Sequence, residues 1–167
     1  MKLWTGEKEN LPSVAHAIRT TIAATLSVLL ARLLRIPEPY WSAVATIVVM
    51  QSPLSSTVPL AVQRIVASAL GASLAVIEGT FFGANLIAFA VAIFVLGLIS
   101  LALRLERVGY SYAGITLAII VLIPRAEEPW IAAAHRFMEV SLGILVALAV
   151  VALWRERQRI FGGATTE

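Results

Sequence analysis

The sequence predicts an all-α membrane protein of six transmembrane helices, built as two inverted three-helix repeats. Three observations carry this. The 167-residue chain is 59% hydrophobic and 14% charged, where soluble domains hold about 45–50% and about 25%. Its apolar residues fall into six stretches separated by proline and glycine. One pattern of arginine, glycine and alanine occurs twice, at a fixed separation.

Composition also excludes. With no cysteine, disulfide frameworks, zinc ribbons and thiol catalysis are impossible. The pI near 9.8 does not indicate nucleic-acid binding, because no soluble basic module is present. Excess Lys and Arg instead mark the cytoplasmic loops of membrane proteins. A cleaved signal peptide is not expected. The first apolar run starts near Thr20, and "LLARLLRIP" offers no small-x-small cleavage site.

The elements follow from length. A spanning helix needs about 20 mainly apolar residues, with a range of about 17–25. After a polar segment over residues 1–13, placed at the membrane surface, helices are expected over Val14–Leu34, Tyr40–Ser52 (short), Val58–Ile77, Ala84–Leu103, Gly109–Ile123 and Trp130–Trp154. "RIPEPYW", "QSPLSSTVP", "EGTFFGAN" and "IPRAEEPW" separate them. Proline is excluded from helix interiors and drives the preceding residue out of the helical region. The membrane domain thus covers residues 14–157, with halves at about 14–78 and 84–157, and residues 158–167 read as a disordered tail. Lys2, Lys8, Arg104, Arg107, Arg155, Arg157 and Arg159 would share one side, against Arg32, Arg35 and Arg125 on the other. That bias predicts cytoplasmic N and C termini in an inner membrane.

The repeat is read from "RIVASALGASLAV" and "RFMEVSLGILVAL". Arg64 and Arg136 lie 72 positions apart, as do Gly71 and Gly143, and Ala75 and Ala147. "PYWSAVATIVVMQSP" and "GYSYAGITLAIIVLIP" correspond more loosely as the preceding helices. Three spans per half would invert the second half, a plan recurrent in secondary transporters with midplane substrate sites.

Arg64 would lie about 9 Å inside its helix at 1.5 Å per residue, and Arg136 at similar depth from the opposite face. A charge at membrane depth costs about 2.5–3.5 kcal/mol on insertion scales, and arginine offers a planar fork that matches carboxylates. Two such residues aimed from opposite halves would bind an organic anion. The plainer reading has either arginine snorkelling to the interface, and Arg136 neutralised by Glu139 on the same helix face. Arg64 has no nearby acid in sequence and is the sharper candidate; Arg19 is a third. Gly71, Ala75, Gly143 and Ala147 form small-xxx-small patterns that suit close helix packing. Glu139 and His135 are candidate proton carriers, while Glu78 reads as exposed at a helix end. Tyr40, Trp41, Tyr110 and Tyr112 read as interface anchors. No P-loop, HExxH, GxSxG or paired-carboxylate pattern is present, so neither an enzyme, a cofactor nor a metal is expected.

At these residues the chain resembles the fusaric acid resistance or aromatic acid exporter family. The matching elements are the Arg-led "IRTTIAATLS", the "YWS" entry, the "QSP" end of the second helix, and Arg64 followed by Gly71. "YSYAGITLAIIVL" and "AAAHRFMEVSLGILVAL" are similar to the family's closing helices. The likeness covers about Val14–Arg157. It implies a membrane domain exporting aromatic or other organic carboxylates. Plant aluminium-activated malate channels look like distant relatives, which carries an anion-lining role to Arg64 and Arg136, with Arg19 behind them. "ASALG" lacks the threonine usual in the family after the helix glycine. The family's large cytosolic or second membrane domain is not in this sequence, so a homodimer supplying the missing half is expected. The expected function is a transporter or pore for organic anions. The alternative is a non-transporting scaffold, or a subunit served by an export-complex adaptor.

Overall fold

The computed structural model describes residues 14–51, 57–83, 85–123 and 127–162. Among them are six helices and no strand: α1 Val14–Leu33, α2 Tyr40–Met50, α3 Thr57–Phe81, α4 Leu86–Ala102, α5 Arg107–Leu122 and α6 Pro129–Gly162. The polar segment over residues 1–13 lies outside the described residues, as do 52–56, residue 84, 124–126 and 163–167.

α1 shows what solvent the fold is built for. Its buried face is Arg19, Ala23, Ser27 and Ala31, one residue per turn. Its exposed face carries Ile18, Ile22, Leu26 and Leu29. α4 repeats the arrangement, with Ala92, Leu96 and Ser100 inside and Ile87, Val91, Phe94 and Leu98 outside. In water the bulky aliphatics would turn inward. In hydrocarbon they gain nothing by doing so, and small residues take the helix contacts instead. The chain is therefore an integral membrane protein.

Three helices are long and apolar enough to cross a bilayer: α1, Val58–Phe81 of α3 and Pro129–Trp154 of α6. α2, α4 and α5 are shorter apolar helices of 11, 17 and 16 residues. At 1.5 Å per residue they reach about 16–26 Å, short of the roughly 30 Å core. Six spans were expected, the second of them short; length alone supports three.

Several boundaries differ for physical reasons. α3 continues to Phe81, so Glu78 lies inside a helix and is 3% exposed, contrary to the expectation of an exposed end. Gly79, read as a breaker, stays helical. Its missing Cβ leaves room for the Pro129 ring, which a Cβ would approach to 2.9 Å. α6 runs to Gly162, so the tail expected from residue 158 is helical for its first five residues.

α1 and α4 end in the same device. Arg35 and Arg104 adopt left-handed φ of 55° and 54°. Arg35 N–H donates to the Arg32 carbonyl and Ile36 N–H to that of Ala31; Arg104 N–H donates to Leu101 and Leu105 N–H to Ser100. These are two Schellman motifs with arginine where glycine is usual. α4 begins with Asn85 as N-cap, its Oδ1 accepting from the Ile87 and Ala88 amides.

Packing exchanges the third helices of the two sequence halves. One core cluster joins α1, α2 and α6, through residues such as Ala23, Val49, Ile144 and Ala147. The other joins α3, α4 and α5, through Ala75, Leu96, Ala113 and Leu117. α3 and α6 also pack on each other. Each is thus central, lying against the second helix of the opposite half.

Candidate functional site

α3 and α6 each hold a buried arginine seven residues after the helix start, about 10 Å inside it by helical rise. Arg64 is 7% exposed and Arg136 is 2% exposed. Each stacks on an aromatic ring of the opposite half. The Arg64 Cζ lies 4.1 Å from the centroid of the Tyr112 ring, and the Arg136 Cζ 3.8 Å from that of Trp41. Away from water such a stack contributes up to about 2 kcal/mol. Trp41 and Tyr112 were expected at the interface as anchors; instead they are platforms for the two guanidiniums. Tyr40 is exposed, and Tyr110 is half-buried with its hydroxyl 3.4 Å from the Ile93 carbonyl.

The glycines that follow sit at the tightest helix contacts. A Cβ on Gly71 would press on the Ala113 carbonyl, and one on Gly143 on the Ser42 carbonyl. Ala75 and Ala147 are fully buried one turn further on. A polar seam reinforces the α2–α6 contact. The Thr46 hydroxyl lies 2.9 Å from the Gly143 carbonyl and 2.8 Å from that of Ser42. The Ser42 hydroxyl is within 3.2 Å of the Ser27 carbonyl on α1.

The two arginine sites differ in charge. Arg136 Nη1 donates to Glu139 Oε2 at 3.2 Å, and Nη2 lies 3.8 Å from Glu38 Oε2. Glu139 is itself 1% exposed. This is the neutralised arrangement that the three-residue spacing allowed, with Glu38 added from the α1–α2 connection. Arg64 has no ion pair among the described residues, and its Nε and Nη1 have no hydrogen-bond partner there. A cavity of about 380 Å³ opens between the end of α2 and the starts of α3 and α5, lined by Gln51, Gln63, Glu106 and Tyr112 among others. Gln63 Oε1 is buried without a partner. Tyr112 thus both lines this cavity and carries the Arg64 guanidinium on its ring.

Arg19, the third candidate, is 7% exposed on α1, with Nη2 3.1 Å from His16 Nδ1. His135 Nδ1 lies 3.4 Å from Glu127 Oε2, both partly exposed, so it pairs outward and apart from Glu139. Neither Arg64 nor Arg136 lines the cavity beside Tyr112, the one between α3 and α4, or the one along α1. No cluster of three metal-ligating side chains occurs among the described residues. Sequence reasoning missed Glu38, Trp41 and Tyr112. The signal for the two rings was available: Trp41 and Tyr112 lie 71 positions apart, nearly the offset of the arginines they carry.

The chain is 34% identical over 151 residues to the inner membrane protein YeeA of Escherichia coli K12, covering 86% of this chain and 42% of that protein. It is 32% identical over 145 residues to the uncharacterized transporter YdhK of the same strain, covering 78% of this chain and 21% of that protein. The chain thus spans less than half the length of these curated relatives. No solved structure matches it. Neither relative bears on the plant malate channels. The family model described as fusaric acid resistance protein-like matches residues 25–150, three quarters of the sequence, and the chain belongs to that family.

Proposed function

We infer that this chain forms a transport path for organic anions across the inner membrane, with Arg64 as the residue that binds the anion. The observation that carries the reading is the state of Arg64. It is a buried guanidinium stacked on Tyr112, without a carboxylate among the described residues, one ring away from a 380 Å³ cavity. An arginine stays charged in any accessible pH range, so at this depth it favours a bound anion. An aromatic carboxylate fits this site best. Its head would pair bidentately with the guanidinium once the Tyr112 ring swings off it, and its ring would lie against the apolar wall of the cavity. The family and the relative named a transporter support the transport class; the relative named an inner membrane protein supports the location.

The inverted-repeat architecture belongs to the same reading. It is supported by correspondences beyond the sequence pattern. Gly71 meets Ala113 as Gly143 meets Ser42, Arg64 stacks on Tyr112 as Arg136 stacks on Trp41, and α1 and α4 share their arginine C-caps. Six crossings with both termini cytoplasmic, the short helices thinning the bilayer locally, complete the proposed topology. In it Arg136, held by Glu139 and Glu38, is a packing residue and not a second anion receptor. A homodimer, or a larger assembly with an adaptor, would provide the remainder of the path.

Reconstituted vesicles loaded with benzoate test this. Efflux from wild-type vesicles should fall at least about tenfold in Arg64→Ala, a loss of about 1.4 kcal/mol or more, and be partly retained in Arg64→Lys. Unchanged efflux in a well-folded Arg64→Ala protein would refute the assignment. A scaffold role is favoured if wild-type vesicles release benzoate no faster than empty liposomes.

A further inference from the structure

Glu78 is a buried carboxylate that the anion reading does not use. It sits on α3 near the α3–α4 turn and is 3% exposed. Neither Oε1 nor Oε2 has a hydrogen-bond partner among the described residues. It lines a cavity of about 400 Å³ between α3 and α4, whose other walls include Leu74, Ile87, Val91 and Val95. That volume is in the range of small-molecule sites, about 300–1,000 Å³. The second polar residue in the lining is Asn85, and its Oδ1 is committed to capping α4. Glu78 is therefore the one side-chain acceptor among these lining residues left available to a ligand. Phe82, largely exposed, adds an aromatic surface.

Among the described residues, the elements packed around Glu78 supply no counter-cation. α4 carries no charged residue, and the one charged residue of α5, Arg107, stands at that helix's first position. Before and within α6, Glu127 pairs with His135, Glu128 is exposed, and Arg136 is held by Glu139 and Glu38. An ionised carboxylate in apolar surroundings must take a cation or a proton. We propose that the α3–α4 groove is a binding site for a lipophilic organic cation, with Glu78 as its counter-ion. The cation's apolar body fills the groove and its charge meets the carboxylate. In the empty site the carboxyl holds a proton. Binding breaks that O–H bond, releases the proton to water and leaves the carboxylate paired with the cation, one proton out for one cation in. The site is separate from Arg64 and independent of its role.

Tetraphenylphosphonium is the probe, with purified full-length protein in detergent. Binding is measured by equilibrium dialysis, and proton release by a pH indicator in weakly buffered solution. The wild type should bind the probe and release close to one proton per cation. Glu78→Gln should bind at least about tenfold more weakly, because a cation in low dielectric then faces a neutral amide, and should release no proton. Val91→Trp, which fills the groove from the lipid side and keeps Glu78, should also lose binding. Arg64→Ala should bind as the wild type does, so a failure of the anion reading leaves this result untouched. Equal binding by Glu78→Gln, binding without proton release, or occupation of the groove by a detergent or lipid chain that the cation cannot displace would each overturn the proposal.

Discussion

Replacing Gly71 by alanine perturbs the α3–α5 contact by one methyl group, and Gly143→Ala does the same to α2–α6. On Gly71 the new Cβ would collide with the Ala113 carbonyl oxygen and lie 3.0 Å from its carbon. On Gly143 it would collide with the Ser42 carbonyl oxygen and lie 2.8 Å from Ala45 Cβ. Ordinary contact begins at 3.4 Å, so the helices must part by at least about 0.4 Å at the carbons and further at the oxygen. Both obstacles include backbone, which cannot swing aside as a side-chain tip would. Overpacking of this kind costs about 1–3 kcal/mol, and the parted seam also forfeits dispersion contacts along its length. On the scale of domains this size, 1 kcal/mol moves the thermal midpoint by about 2–4 °C, so at the middle of that cost, about 2 kcal/mol, each variant should melt about 4–8 °C below wild type. Thermal unfolding in detergent, followed by circular dichroism, measures this. Gly114→Ala is the control, since its Cβ would meet only Ile93 Cδ1 at 3.6 Å; its midpoint should not move. If Gly71→Ala and Gly143→Ala melt with the wild type, or Gly114→Ala falls as far as they do, the close-approach reasoning fails.

Glu139→Gln leaves a buried Arg136 with Glu38 at 3.8 Å as its ionic partner; breaking such a pair costs about 3–5 kcal/mol. Glu38→Gln, at a side chain 28% exposed, should cost under about 1 kcal/mol, and equal midpoint shifts for the two would contradict the ranking. Arg35→Gly and Arg104→Gly relieve left-handed backbone at non-glycine positions and should each gain about 1 kcal/mol. A fall in midpoint for either would mean that its guanidinium contributes more than its φ costs.

The sequence made some of this legible because the determinants are local. Composition and proline placement located all six helices, since a run of apolar residues without a breaker has no other stable form in a membrane. The arginine–glycine offset found both tight helix contacts before their partners were known. What was illegible depends on tertiary context. Gly79 has the look of a breaker and is a packing residue, because Pro129 arrives from 50 positions away. The end of α1 seemed set by Pro37 and Pro39. It falls within a residue of the expected Leu34, but the stop is made at Arg35, whose left-handed turn no propensity scale would place on an arginine. Trp41 and Tyr112 matched the usual signature of interface anchors, and only the helix exchange between halves puts a guanidinium over each ring. Glu78 was misread with α3 itself: placed beyond the helix it is a surface acid, and placed inside it is a buried one.

The two arginine sites isolate what framework and charge each contribute. Position in the helix, the stacked ring of the opposite half and the glycine seven residues on are common to both. The difference lies three residues after each arginine, on the same helical face. α6 has Glu139 there, which bonds Arg136; α3 has Ala67, fully buried, which leaves Arg64 uncompensated. A shared backbone solution thus holds one guanidinium paired with a carboxylate of its own helix and one with no ion pair among the described residues. Insertion energetics do not favour the open site, since a charge at this depth is costly. The absence of an acid at position 67 is the feature that makes Arg64, and not Arg136, the candidate receptor.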